Sequence, residues 1–256
     1  MRSHSRRERS CLGGAFIRRL ERAGTLSDLE QEVLLSLVGT PLDVAARQAI
    51  IGQHAERICL VMSGLACRYA TLPDGTRRIA AFIIPGDLVG SPAGFTSGLP
   101  WRVGTLIRCS VAGLSRPDLC TLSRTYPGIR RALQWLMQDE LNRARAWLLN
   151  DSQPSLQRVA YLLCELQARL EAAGLAGQGA CELSLSQADL ADAAATSHVH
   201  VSRVLQTLFS ERLVSLGHQK LTITDVPRLR DLAGFDPGHL AAGVAELEAN
   251  DLLGSG

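Results

Sequence analysis

The residues best suited to chemistry lie near the C-terminal end, where polar side chains occupy one face of a predicted helix. Its apolar stripe has the spacing i, i+3, i+4, i+7 and consists of Val201, Val204, Leu205 and Leu208. The other face carries His198, Val199, His200, Ser202, Arg203 and Gln206. An arginine can pair with O6 and N7 of guanine, and glutamine or histidine can reach a purine edge. We therefore expect this face to read base edges in a DNA major groove rather than to be a plain solvated surface.

A helix-turn-helix with a wing would position that face. Ser186, with Asp189 three residues on, predicts a capped helix start, and Ala195–Ser197 separates this helix from the next. Two alternating strands on either side of the turn Gly217–Lys220 predict the wing. The remaining expected DNA-contacting residues are Ser186, Gln187, Thr196, Ser197 and Lys220. The helix start at Thr196 and Ser197 would present backbone N–H groups to a phosphate.

The rest of the chain divides into further segments. Residues 1–22 carry seven arginines against two glutamates and are expected to form a tail. Residues 23–126 begin with a helix capped by Ser27 and Glu30, followed by short apolar runs with glycine or proline corners that predict a small β-sandwich or roll. Residues 151–235 contain the helix-turn-helix, and residues 236–256 are a second tail. The fold class is therefore expected to be α+β.

Residues 127–150 predict one long helix between the two domains. Its apolar residues recur at steps of three and four, and they form a single stripe. Such a stripe can pack on its own domain, but its position favours pairing with a second copy of the chain. The expected dimer interface consists of Leu133, Met137, Leu141, Ala144 and Leu148.

The composition bounds the class of protein. With 256 residues, 46% hydrophobic and 20% charged, the chain is globular, which excludes a disordered, collagen-like or disulfide-dense protein. No apolar run approaches the ~20 residues that span a bilayer, and the N-terminus has no apolar signal region. Seven cysteines without a C-x-x-C pair indicate reduced thiols and a cytoplasmic location. The net charge of +2 does not exclude DNA binding, but it limits the non-specific electrostatic share.

The order of these parts resembles the Crp/Fnr family of bacterial transcription regulators over about residues 16–235. The matching segments are Leu65–Tyr69, Leu72–Gly75, Pro85–Asp87, Leu185–Ala191 and Val199–Gln206. The resemblance implies a homodimer that binds a palindromic operator and contacts RNA polymerase. It also implies that an effector in the β-roll would reorient the two recognition helices. The effector pocket that it implies consists of Gly86, Asp87, Ser91, Trp101 and Arg102.

Two departures from the family pattern concern ligands. Ser91 stands where cyclic-nucleotide-binding members carry a glutamate, and Trp101-Arg102 stands where they carry arginine-serine. We therefore expect no tight binding of cyclic AMP. Cys11 is alone in the region where iron–sulfur members carry a cysteine cluster, so no iron–sulfur cluster is expected.

Two more departures concern the DNA-binding segment. His198 and Val199 replace the arginine–glutamate pair of the best-known recognition helices, so the operator is expected to differ from theirs. Ala195 occupies the turn position that glycine usually fills, at a cost of about 1 kcal/mol if its φ is positive.

Three other functions stay open on the sequence alone. A cupin-like metal enzyme needs clustered histidines, but His54 is the only one between Arg22 and Trp147, and no catalytic residue or metal ligand set is predicted. A thiol- or redox-responsive regulator would act through Cys59, Cys67 or Cys109. Cysteine in apolar strands is more often a small buried hydrophobe. A module whose β-roll binds a partner protein is the third alternative.

Overall fold

A computed structural model describes residues 13–51, 57–90, 101–177, 181–217 and 220–238. The helices are α1 (residues 13–20), α2 (Asp28–Ser36), α3 (Arg116–Thr125), α4 (Pro127–Asn150), α5 (Ser155–Ala172), α6 (Gln187–Ala193), α7 (His198–Ser210) and α8 (Val226–Ala233). The strands are β1 (Leu42–Val44), β2 (Ala49–Ile51), β3 (Arg57–Ser63), β4 (Ala66–Thr71), β5 (Arg77–Ile83), β6 (Leu88–Val89), β7 (Arg102–Thr105), β8 (Cys109–Ser115), β9 (Cys181–Leu183), β10 (Val214–Gly217) and β11 (Lys220–Ile223).

Strands β1 to β8 form the expected β-roll, which consists of two antiparallel four-stranded sheets. Their strand orders are β1-β8-β3-β6 and β2-β7-β4-β5. Gly75 has a φ of +84° in the turn between β4 and β5, as the Pro-Asp-Gly sequence predicts. One predicted apolar run, Val103 to Leu114, is in fact two strands. The chain bends between them because the N–H groups of Leu106 and Ile107 both donate to the carbonyl of Leu65.

The arginine-rich N-terminal segment is not a tail over its second half. Residues 13–20 are helical, and Phe16 and Leu20 are fully buried. Helix α1 lies directly against the turn at Gly86, where a Cβ would be 2.8 Å from the carbonyl oxygen of Ala15. Gly86 also has a φ of +95°, so only glycine fits this position without strain. Burial of the apolar side chains outweighs the high arginine content of the segment. Residues 1–12, including Cys11, lie outside the described residues, as do residues 239–256 of the predicted second tail.

Helix α4 runs over the full predicted range and is fixed at its start by another element. Glu30 accepts a hydrogen bond from the Gly128 N–H at 2.9 Å, while it also completes the predicted capping box with Ser27. One carboxylate therefore satisfies the exposed N–H groups of two helices. The short helix α3, which precedes α4, was not predicted.

The C-terminal domain contains the predicted helix-turn-helix and wing. Strands β10 and β11 pair antiparallel, and β9 adds a third strand that was not predicted. Helix α8, also not predicted, follows the wing. It packs on α5 through Leu229, and Phe235, which comes just after α8, joins the same core. Of the described helices, none is long and apolar enough to cross a membrane.

Candidate nucleic-acid interface

Helix α7 presents the predicted polar face to solvent. Ser197 caps it by accepting a hydrogen bond from the His200 N–H at 3.2 Å. The stripe residues Val201 and Leu208 are fully buried against the rest of the domain. The opposite face is exposed at His198, Val199, His200, Arg203 and Gln206, and half-buried at Ser202. The arrangement can therefore place several hydrogen-bonding groups in a groove without disturbing the core.

Helix α6 and the turn set the angle at which α7 is held. Ser186 accepts a hydrogen bond from the Asp189 N–H at 3.1 Å and donates one to the Asp189 carboxylate at 2.6 Å. This is the predicted capping box. Ala195 has a φ of +46°, so the turn places an alanine in the left-handed region, and the cost considered for a positive φ at this position applies. The Thr196 N–H then bonds back to the Ala191 carbonyl at 3.1 Å.

The other predicted contacts lie at the edges of this surface. Gln187 is exposed at the start of α6, and Thr196 is half-buried in the turn. Lys220 in the wing donates to Glu182 of β9 at 2.7 Å. The hydrogen bond from Lys220 lowers the pKa of Glu182 below its usual range. Both side chains are more than half exposed, so Lys220 can turn from this carboxylate to a phosphate at little cost.

A buried ionic cluster occupies the region where the effector pocket was expected. Asp87 pairs with Arg19 of α1 at 3.0 Å and with Arg169 of α5. Arg19 also reaches Asp139 of α4 at 2.8 Å, and Asp139 pairs with Arg143 at 3.0 Å. Burial raises the pKa of Asp87, but the attraction of Arg169 and Arg19 outweighs it and brings the pKa to about 2. The cluster therefore joins α1, the β-roll, α4 and the DNA-binding domain through charged groups.

The cavity beside this cluster is small. It has a volume of about 50 Å³ and is lined in part by Arg19, Arg68, Phe82, Asp87, Glu140 and Arg143. Sites for small molecules usually enclose about 300–1,000 Å³. Of the predicted pocket residues, Trp101 and Arg102 are exposed and do not line it, whereas Ser91 lies outside the described residues. Of the predicted pocket residues that the structure describes, Asp87 alone lines this cavity.

The predicted stripe on α4 separates into two parts. Leu133 is only 7% exposed because it packs in the core beneath α1. Met137, Leu141, Ala144 and Leu148 are all exposed, and Leu148 is 72% exposed. Four successive apolar positions on one face of a helix thus have no cover from the described part of this chain.

The cysteines of the thiol alternative are mostly buried. Burial raises the pKa of Cys67 to about 12 and that of Cys109 to about 11. Cys109 also donates to the Leu65 carbonyl at 3.3 Å. Cys59 is half-buried. Because the thiolate is the reactive form, the two buried thiols are poorly suited to redox chemistry. Within the described residues, no group of three or more His, Cys, Asp or Glu could hold a metal ion.

The sequence missed a set of charged contacts to α6. Arg47, Arg77 and Arg78 of the β-roll all reach this helix or its ends. Their partners are more than 100 residues away along the chain, so no local pattern could have identified them.

Comparisons with known proteins agree with this architecture. The family described as a Crp-like helix-turn-helix domain matches residues 157–232, and the cyclic nucleotide-binding domain matches residues 44–126. Transcriptional activator protein FnrL of Cereibacter sphaeroides is 27% identical over 217 residues, covering 82% of this chain and 86% of that protein. Nitrogen fixation regulation protein FixK of Azorhizobium caulinodans is 29% identical over 211 residues, covering 78% and 81%. The solved structure of FixK2 from Bradyrhizobium japonicum is 27% identical, with a TM-score of 0.67 over 78% of this chain and all of that one.

Proposed function

The chain belongs to the Crp/Fnr family of transcription regulators and carries its DNA-binding helix-turn-helix, and from this premise we propose that it acts as a homodimer on a palindromic operator. The observation that carries the proposal is the exposed polar face of α7, whose other face is anchored in the core. Its relatives are transcription regulators rather than enzymes.

The exposed stripe on α4 supports the dimer. A two-fold axis beside Met137, Leu141 and Leu148 would bury them against the same residues of a second copy. That symmetry would place two α7 helices on successive half-sites, about one turn of DNA apart. A palindromic operator follows from the symmetry of the protein. The cytoplasm is the proposed location, because the operator and RNA polymerase, the partner implied by the family resemblance, are found there.

We further propose that neither cyclic AMP nor an iron–sulfur cluster controls this regulator. Support for the first part comes from the small cavity and from the charged side chains that fill its surroundings. For the second, the sequence offers only Cys11 in the N-terminal segment. The β-roll then acts by transmitting a signal through its contacts with α4 and the DNA-binding domain.

Selection of bound duplexes from a random DNA pool tests the proposed operator. The wild-type protein should enrich a palindrome, and Arg203→Lys should keep its non-specific affinity while losing discrimination at one base pair in each half-site. The expected loss is about 1–3 kcal/mol, because lysine cannot make the bidentate contact to guanine. Arg145→Lys, on the exposed surface of α4, is the matched control. Enrichment of no palindrome, or an unchanged base preference in Arg203→Lys, would contradict the proposal.

A further inference from the structure

Two arginines of the β-roll form ion pairs with aspartates of α6. Arg47, in the turn between β1 and β2, makes a bidentate contact with Asp189, with its two terminal nitrogens 2.6 and 2.9 Å from the carboxylate oxygens. Arg77, at the start of β5, bonds Asp189 at 2.7 Å and Asp192 at 2.6 Å. Bidentate arginine–carboxylate pairs fix orientation as well as distance.

The contact at Asp189 is built into the fold rather than lying loosely on the surface. Asp189 is only 1% exposed. Burial raises its pKa, but hydrogen bonds from Arg47, Ser186 and Arg77 outweigh this, and the pKa lies below its usual range. Arg47 has a φ of +64°, a conformation that costs a non-glycine residue about 1–2 kcal/mol. The fold therefore retains backbone strain at the residue that makes the bidentate contact.

Arg78 extends the contact to the hinge between the domains. One terminal nitrogen donates to the carbonyls of Asp192 and Ala193 at 3.3 and 3.1 Å, at the C-terminal end of α6. The other bonds both oxygens of Asp151, in the turn between α4 and α5, at 2.7 and 2.5 Å. A cation at the C-terminal end of a helix is favoured by the helix dipole. Arg78 thus joins the β-roll, the hinge and α6 at one point.

The contact leaves the recognition face open. Three arginines face three aspartates, so their charges balance and little positive charge remains for a phosphate backbone. In the same structure His198, Arg203 and Gln206 of α7 are exposed. The β-roll therefore holds the helix-turn-helix by its first helix without covering the helix that reads DNA.

We propose that Arg47, Arg77 and Arg78 are positioning residues that form an ionic latch and hold α7 at the angle needed for two half-sites at once. The inference rests on the proposed function, because the angle matters only when both subunits of a dimer engage one duplex. Binding of the second subunit is then effectively intramolecular, and its gain is lost when the geometry is loose. A loosened latch weakens binding to two half-sites and leaves binding to one half-site unchanged.

A charge swap tests the latch. Arg77→Glu, Asp192→Arg and the double variant are titrated against the duplex selected by the wild-type protein and against the same duplex with one half-site scrambled. Each single variant should lose about tenfold affinity for the complete site and less than about twofold for the half-site. The double variant re-forms one ion pair but leaves a carboxylate facing the buried Asp189, so it should recover only part of the affinity that Arg77→Glu loses. Arg108→Glu, an arginine 76% exposed in the β-roll and 3.9 Å from Asp43, is the control and should match wild type.

A measurement without DNA separates the latch from the proposed operator. Hydrogen exchange of the α6 amides and of residues 45–48 should be faster in both single variants. In the double variant it should be slower than in Arg77→Glu, though faster than in wild type, with α2 unchanged throughout. Equal losses on both duplexes, a gain of affinity in the single variants, or a double variant that recovers none of the Arg77→Glu loss in either readout would overturn the latch. If the wild-type protein selects no palindrome, the proposed function fails, while hydrogen exchange still decides whether the latch exists.

Discussion

Replacement of Asp87 by asparagine removes the charge at the centre of the buried cluster and should be strongly destabilising. Asparagine has the same shape and keeps an acceptor for the Ile84 N–H, which bonds Asp87 at 2.9 Å. Arg19 and Arg169, however, lose the anion that both of them contact. Breaking a buried ion pair by removing one partner costs about 3–5 kcal/mol, because the remaining charge stays buried. A loss in that range is the expected result at pH 7.

The same substitution makes a prediction for acid pH. The pKa of Asp87 is lowered to about 2 in the folded protein, because Arg169 and Arg19 outweigh the opposing effect of burial. A carboxyl with a lowered folded-state pKa adds stability that is complete above its unfolded pKa, about 3.9, and is lost as the pH falls towards 2. The shift of nearly two units is worth roughly 2–3 kcal/mol. The stability gap between wild type and Asp87→Asn should shrink by about that amount between pH 5 and pH 2.

Urea unfolding followed by tryptophan fluorescence measures this gap. Trp147 packs against Phe82 with ring centroids 5.6 Å apart, so its emission should report loss of the interface between the β-roll and α4. Asp43→Asn, whose carboxylate is exposed and 3.9 Å from Arg108, should change stability by less than about 0.5 kcal/mol. A cost below about 1 kcal/mol for Asp87→Asn at pH 7, or a gap that does not change with pH, would refute the role of the cluster.

Three further outcomes are expected. Leu141→Glu should convert the dimer to monomers in sedimentation and weaken operator binding, because it places a charge in the apolar stripe. The control Leu149→Glu, at an exposed position outside the stripe, should remain dimeric. A dimeric Leu141→Glu would exclude the stripe as the interface. Ala195→Gly should raise the free energy of unfolding by up to about 1 kcal/mol, because glycine relieves the strain of the positive φ. A free energy of unfolding below that of the wild type would show that the turn is unstrained. Cys67 and Cys164, whose pKa values are raised to about 12 by burial, should resist alkylation at pH 8 in the folded protein and react once it unfolds; rapid labelling of the native protein would revive the thiol alternative.

The parts of the fold that were predicted correctly are those with local causes. The caps at Ser27 and Ser186 depend on residues three positions apart, and the stripe of α7 repeats within two turns, so the sequence alone shows them. Helix α1 was missed because its high arginine content suggested a solvated tail. Its apolar residues are buried by α4 and the β-roll, and those contacts are distant in sequence.

The candidate site also divides into features with local causes and features that depend on residues distant in sequence. Exposure of the α7 face follows from periodicity. By contrast, Trp101 and Arg102 do not line the cavity at Asp87, whose surroundings are filled by Arg19 from α1 and Arg169 from α5. The residues next to Arg19 and Arg169 in the sequence do not indicate that either arginine pairs with Asp87. A glycine followed by an aspartate at a turn indicates the turn itself, whereas the ligand that the turn can hold depends on the side chains that other elements place beside it.

Several of the many arginines bond more than one element of this fold at once. Of the 27 basic residues, 26 are arginine, which the base composition of a GC-rich genome could explain by itself. Arg169, however, donates to the Phe82 carbonyl at 2.8 Å and contacts both Asp87 and Glu165, and Arg77 bonds two aspartates at once. A planar guanidinium has five N–H donors in fixed directions and keeps its charge when buried, whereas a lysine ammonium is a single point that loses its proton more readily there. The cluster at Asp87 and the latch at α6 both require one cation to bond several elements, so lysine could not replace arginine at either place without losing contacts.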